Sequence, residues 1–106
     1  MDIRIEKTDR AIEKAFMELR ARQPLEKIRI KDLCTLAKVN KSTFYAHYED
    51  IYELSSRLEN KLIHVILDSV PNVGLTAAHT EQLTRDLFHA FVQNQEAVNI
   101  LFSGAR

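Results

Sequence analysis

The sequence has little of what hairpin-rich, disulfide-stabilised or membrane-spanning proteins require. Its 106 residues include two glycines, two prolines and one cysteine. One cysteine cannot form an internal disulfide, and so few turn formers leave little material for tight hairpins. No apolar run reaches the roughly 18 residues of a bilayer span, and residues 1–4 do not lead into a signal-peptide core. These absences predict an all-α protein of the cytoplasm with no membrane partner.

Charge is distributed unevenly along the chain, although the formal net charge is zero. Residues 1–48 carry eleven Lys/Arg against seven Asp/Glu, a balance of +4, and residues 49–106 carry four against eight, a balance of −4. Clustered positive charge is the electrostatic footprint of phosphate binding, although chance produces imbalances of this size. The first half of the chain is therefore the candidate region for a nucleic-acid partner.

Three short helices are predicted in that first half. Apolar residues recur at three- and four-residue intervals over residues 8–22, until Pro24, and again over residues 31–38. The pattern then breaks at Asn40. Because an asparagine oxygen accepts from the free amides of a helix's first turn, a third helix is predicted over residues 41–48.

Three further helices are expected beyond these. Asp50 and Glu53 form a capping-box-like start for a long fourth helix that ends near Ser69. Residues 70–74, Val-Pro-Asn-Val-Gly, have linker composition and mark the predicted domain boundary. A fifth and a sixth helix follow, the last ending before residues 103–104. Their apolar stripes, which need cover from outside this chain, include Leu83, Leu87, Phe91, Leu101 and Phe102.

The third predicted helix has the side chains of a DNA-reading element. Two short helices joined by a tight turn and braced by a first helix can present the second of the pair to a major groove. Phe44 and Tyr48, four residues apart, can anchor one face of the third helix. Hydrogen-bond donors of several lengths occupy the rest of it: Lys41, Ser42, Thr43, Tyr45 and His47.

Residues 43–54 resemble a characteristic block of the TetR family of transcriptional regulators. Thr-Phe-Tyr-Ala-His-Tyr is similar to the family's threonine-leucine-tyrosine-x-histidine-phenylalanine, and Glu-Asp-Ile-Tyr-Glu-Leu is similar to the acidic helix start after it. The resemblance extends to residues 30–34 and 37–39 and to the Thr8, Ile12, Ala15 opening. It implies a homeodomain-like helix-turn-helix domain over residues 1–50, a connecting helix over 51–70, and the truncated beginning of a helical ligand-binding and dimerisation domain over 71–106.

The resemblance also implies a function and roles. Members bind a double-stranded DNA operator as homodimers when full length, and respond to a small-molecule effector, here unknown. The positions of Tyr45, His47 and Thr8 contact phosphates in the family, and those on the first turn of the third helix contact bases or phosphates. The DNA-binding residues expected here are Thr8, Lys31, Lys38, Lys41, Ser42, Thr43, Tyr45 and His47.

Three departures from the family pattern change these expectations. Lys38 stands where the family has glycine, so the turn needs a left-handed lysine at a cost of about 1 kcal/mol. Arg29 replaces a capping threonine, and Ile51 replaces a lysine that contacts phosphate in the family. DNA affinity is therefore expected to depend more heavily on Lys41 and Lys38.

The predicted core and the other titratable residues favour no enzyme. The six central core residues are predicted to be Phe16, Leu33, Leu36, Phe44, Tyr48 and Leu54. Cys34 lies on an apolar face and is interpreted as a core residue and not a nucleophile. His64, His79 and His89 lack metal-ligand spacing, and no cofactor is expected. The alternatives are a helical protein-interaction module that keeps a helix-turn-helix shape without binding DNA, and a small-molecule-binding domain.

Overall fold

The computed structural model describes residues 3–70 and 77–102, and every regular element in those ranges is a helix. The all-α class is therefore confirmed. The elements in chain order are α1 (Ile3–Arg20), a 3-10 turn (Leu25–Lys27), α2 (Ile30–Ala37), α3 (Lys41–His47), α4 (Ile51–Asp68), α5 (Ala77–Gln93) and α6 (Gln95–Phe102).

Helix ends agree best with prediction where a side chain caps the helix. Asp50 accepts from the Glu53 amide at 2.8 Å, and the Glu53 carboxylate accepts from the Glu49 amide at 2.6 Å, so α4 begins as predicted. By contrast, α1 begins at Ile3 and not near Thr8. The residues of α1 before Thr8 include apolar side chains that remain exposed. The apolar spacing therefore did not indicate that the helix begins at Ile3.

The 3-10 turn between α1 and α2 was not predicted from the sequence. It begins after Pro24, whose backbone is extended, and is closed by bonds from the Lys27 amide to the Pro24 carbonyl and from the Ile28 amide to the Leu25 carbonyl. Three residues are too few to show a hydrophobic period. Ile28 is buried just after this turn and joins the core.

Among the described residues, one hydrophobic core joins the helices. Five of its side chains are completely enclosed: Ile12, Phe16, Leu33, Phe44 and Leu54. The predicted burial of Phe16, Leu33, Phe44, Tyr48 and Leu54 is confirmed, but the prediction for Leu36 is wrong, because 41% of its surface is exposed. α2 turns Leu33, Cys34 and Ala37 inward, which leaves Leu36 at the edge of that face.

Helix α6 connects the two halves of the described chain. It packs against both α4 and α1, while α2 packs mainly on α1 and α5 on α4. Leu101 is buried in the common core, so the expectation that its cover lies outside this chain is wrong. Phe91 and Phe102 remain half exposed. The predicted linker after Val70 and the predicted stop at residues 103–104 lie outside the described residues.

Candidate nucleic-acid interface

The turn between α2 and α3 is a helix-ending motif built around Lys38. Its backbone is left-handed, with φ 61° and ψ 44°, as the sequence predicted. The Val39 amide donates to the Cys34 carbonyl at 3.0 Å and the Lys38 amide to the Thr35 carbonyl at 3.3 Å. These two bonds are those of a Schellman motif, which usually has glycine in the left-handed position. The turn thus has the geometry that a glycine would give, at the cost of holding a side chain at positive φ.

Asn40 begins α3 and confirms the predicted cap. Its side-chain oxygen accepts from the Thr43 amide at 2.8 Å and from the Ser42 hydroxyl at 2.8 Å. The previous helix lacks such a cap, as the sequence predicted, since Arg29 precedes α2 without a side-chain capping bond. The first turn of α3 is therefore held more firmly than the first turn of α2.

Helix α3 divides into a buried face and an exposed face. Phe44 is completely enclosed, and Tyr48, which ends the helix, is 4% exposed. Lys41, Ser42 and Tyr45 are exposed. A helix anchored by one face and presenting cationic and hydroxyl groups on the other has the chemistry needed to contact phosphates and base edges.

The Tyr45 ring packs against the buried ring of Phe44. It stands edge-on to the Phe44 ring, with centroids 5.3 Å apart and planes at 88°, while the centroid of the Tyr48 ring lies 5.6 Å from that of Phe44. Edge-to-face contact is the favoured geometry for aromatic pairs. Tyr45 is thus an exposed side chain whose ring packs against a fixed neighbour.

The other expected DNA-binding residues have different surroundings. Lys38 is exposed in the turn next to α3, and Thr43 is half buried beside the cap. Lys31 is exposed on the first turn of α2, and Thr8 is half buried on α1. The structure therefore groups Lys38 with the α3 residues and places Lys31 and Thr8 on neighbouring helices.

His47 is held by a residue that the sequence did not single out. Its Nδ1 donates to the Asp9 carboxylate of α1 at 2.6 Å, and the ring is 17% exposed. The Tyr48 hydroxyl donates to the same Asp9 oxygen at 3.4 Å. Arg57 of α4 covers the Tyr48 ring at 4.9 Å from its centroid and pairs with Glu53 at 3.4 Å. His47 is thus part of a link among α1, α3 and α4.

Burial changes the acidity of two side chains beside α3. The pKa of the Tyr48 hydroxyl is raised, first by burial and then by the nearby Asp9 and Glu13 carboxylates, against a smaller opposing effect of Arg57. The pKa of the Cys34 thiol is raised by burial, while Lys41 acts in the opposite direction. Cys34 is buried as predicted, and its raised pKa makes it a poor nucleophile.

The sequence contained one signal for Asp9. Asp9 precedes Ile12 by three residues and Phe16 by seven, so it continues the inward stripe of α1. A carboxylate on an inward stripe requires a polar partner. The identity of that partner, 38 residues away, depends on tertiary packing and could not be found by spacing.

Comparison with known proteins gives no relative from which a role could be transferred. No family model, curated protein or solved structure matches this chain. Within residues 3–70 and 77–102, no cluster of histidine, cysteine or carboxylate side chains is suited to hold a metal ion. None of the described helices combines the length and the apolar character needed to cross a bilayer.

Proposed function

We propose that this chain is the DNA-binding region of a transcriptional regulator of the TetR type, acting in the cytoplasm, most simply as a repressor. In this proposal α2, the Lys38 turn and α3 form a homeodomain-like helix-turn-helix unit braced by α1. Helix α3 enters the major groove of a double-stranded operator. The observation that carries the proposal is the division of α3, with Phe44 enclosed and Lys41, Ser42 and Tyr45 exposed beside each other.

Each exposed residue has a role suited to its chemistry. Lys41 is on the first turn of α3, the part of such a helix that reaches base edges, and its ammonium can donate to guanine. Tyr45 has its ring against Phe44, so its hydroxyl can donate to a phosphate oxygen from a fixed base. Lys38 adds a flexible cation at the turn.

The distribution of charge supports the same surface. Residues 1–48, which contain α1 to α3, carry an excess of four positive charges, and the acidic excess lies in residues 49–106. Phosphate binding depends on the local electrostatic potential and not on the net charge of the whole chain. A neutral protein can therefore bind DNA through this end.

Assembly and regulation follow from the same proposal. A homodimer would place two copies of α3 about 34–36 Å apart, one duplex turn, and a small-molecule effector would alter that spacing. A single copy contacts one half-site and so binds weakly.

A salt titration tests the proposal. Fluorescence anisotropy with a random-sequence duplex at several salt concentrations should show affinity falling steeply as salt rises, because each neutralised phosphate releases counterions. Absence of binding at low salt, or an affinity that does not change with salt concentration, would contradict a phosphate-contacting interface.

An apolar groove favours a second candidate, a helical protein-interaction module that does not use DNA. The groove lies among α4, α5 and α6, has a volume of about 380 Å³, and is lined only by apolar side chains: Ile63, Ile66, Leu67, Leu87, Phe91, Val98 and Phe102. Exposed apolar surface of this kind is common at protein interfaces. The salt titration separates the candidates, because a module whose partner is a protein and not DNA gives no salt-dependent binding to the duplex.

A further inference from the structure

One acidic side chain is placed where simple electrostatics would not favour it. Asp9 is on α1, within hydrogen-bond distance of the last residue of α3. If α3 contacts DNA, a carboxylate at its end repels the phosphates that the helix approaches. If Asp9 favours DNA binding, it must therefore do so through the side chains to which it is hydrogen-bonded.

Asp9 holds two consecutive residues at the end of α3. One carboxylate oxygen accepts from His47 Nδ1 at 2.6 Å and from the Tyr48 hydroxyl at 3.4 Å, and these partners are 38 and 39 residues away in the chain. The site is partly enclosed, since the His47 side chain is 17% exposed and the Asp9 side chain 38%. A short hydrogen bond to a carboxylate is stronger than one between neutral groups, and partial burial strengthens it further.

At its C-terminal end, α3 is held by the buried Tyr48 ring and by the bonds to Asp9. The helix has seven residues. Its N-terminal cap, Asn40, is local to the helix, and its fully enclosed side chain, Phe44, lies at its centre. Hydrogen bonds are directional, so the Asp9 bonds add to the packing of Tyr48 a polar link between the far end of α3 and α1. Fixing that end also fixes the direction in which Tyr45 and Lys41 project.

We infer that Asp9 is a positioning residue for DNA binding: it ties His47 and Tyr48 to α1 and thereby sets the orientation of α3. This inference rests on the proposed function. It assigns no DNA contact to Asp9 itself. Asp9 raises the affinity for DNA by positioning α3, and this gain is opposed by the repulsion between its carboxylate and the phosphates.

Three substitutions separate geometry from charge. Asp9→Asn keeps an acceptor oxygen in place and removes the charge, Asp9→Glu keeps the charge and displaces the oxygen by one methylene, and Asp9→Ala removes both. If Asp9 positions α3, Ala and Glu weaken duplex binding by at least about fivefold, whereas Asn binds within about twofold of the wild type or more tightly. If only charge matters, Ala and Asn tighten binding and Glu leaves it unchanged.

The measurement is anisotropy with one random-sequence duplex at fixed salt, at a temperature where circular dichroism shows each variant fully folded. Glu6→Ala is the matched control, since it removes the same charge one turn earlier on α1, from a carboxylate that pairs with Arg10 and not with α3. Asp9→Ala is also made in a His47→Ala, Tyr48→Phe background, where it should no longer weaken binding. A general loss of fold would weaken binding in both backgrounds.

The outcomes distinguish this inference from the function on which it rests. If the wild type does not bind the duplex, the proposed function fails and the inference fails with it. If the wild type binds with a steep salt dependence but Asp9→Ala and Asp9→Glu bind as tightly as Glu6→Ala, the positioning role is overturned and the proposed function stands. If Asp9→Ala does not fold, the duplex affinities of Asp9→Asn and Asp9→Glu are compared instead. Binding by Asp9→Asn that is at least about fivefold tighter than binding by Asp9→Glu supports the positioning role, and a smaller difference overturns it.

Discussion

The ring of Tyr45 stands at 88° to the ring of Phe44, with 5.3 Å between their centroids. Phe44 is completely enclosed, whereas Tyr45 is 53% exposed, so neighbouring residues connect the core to the candidate interface. Because the exposed ring packs on the buried one, the order of the α3 surface depends on the packing below it. Stability and binding should therefore respond to different substitutions in the same short helix.

Phe44→Ala should lower the free energy of unfolding by about 3–5 kcal/mol, because it leaves a cavity in a close-packed core. Urea denaturation followed by circular dichroism measures this change. Leu36→Ala is the control, since Leu36 is 41% exposed and should cost much less. Equal costs for the two substitutions would show that Phe44 is not the central anchor of α3.

Lys38→Gly should raise the free energy of unfolding by up to about 1 kcal/mol, because glycine adopts the left-handed conformation of this turn without a Cβ clash. Lys38→Ala removes the same charge but keeps the Cβ, so it should bring no such gain. Thermal unfolding of both variants checks the prediction. A glycine variant less stable than the alanine variant would contradict the turn geometry.

The Cys34 thiol should react slowly in the native chain. Burial raises its pKa and limits access, and Lys41 only partly opposes this shift. Reaction with a disulfide reagent at pH 8 should be at least about tenfold slower in the folded chain than in the chain unfolded in urea. Similar rates in the two states would place Cys34 at the surface.

Tyr48 should make the fold sensitive to alkaline pH. Its pKa in the folded chain is raised above the ordinary value of 10.0. At a pH between 10.0 and this raised pKa, the folded chain therefore retains a proton that the unfolded chain has lost. Its contribution to stability is complete below about pH 10 and is lost as pH rises beyond that. Unfolding midpoints from pH 8 to 11 should fall less steeply for Tyr48→Phe than for the wild type. Parallel slopes would exclude this contribution.

Local signals in the sequence predicted the six α-helices, but contacts between residues far apart in the chain could not be predicted from them. Asn40 and Asp50 marked two helix starts because a cap depends on residues within one turn. Leu36 was misplaced because it lies three residues after Leu33, a spacing that is compatible with either the buried face or its edge in so short a helix. Asp9 was missed because its partners are far away in the chain.

For the candidate interface, the sequence predicted the left-handed Lys38 and the buried pair of α3, and the structure bears out both. Contact with DNA stays a prediction for all eight expected residues. His47 shows why exposure matters to that prediction: most of its ring is enclosed beside Asp9, so spacing along a helix does not reveal which polar side chains are already engaged within the protein.

The central claim is that the exposed face of α3 contacts DNA, and two substitutions on that face test it most directly. Anisotropy at fixed salt compares Lys41→Ala and Tyr45→Phe on a duplex selected from a random pool and on a scrambled duplex, with Arg85→Ala on α5 as a control for lost charge. A base contact by Lys41 predicts a loss of ~1–3 kcal/mol on the selected site and much less on the scrambled one, whereas a phosphate contact by Tyr45 predicts equal weakening on both. If both variants bind both duplexes as the wild type does, α3 does not contact DNA.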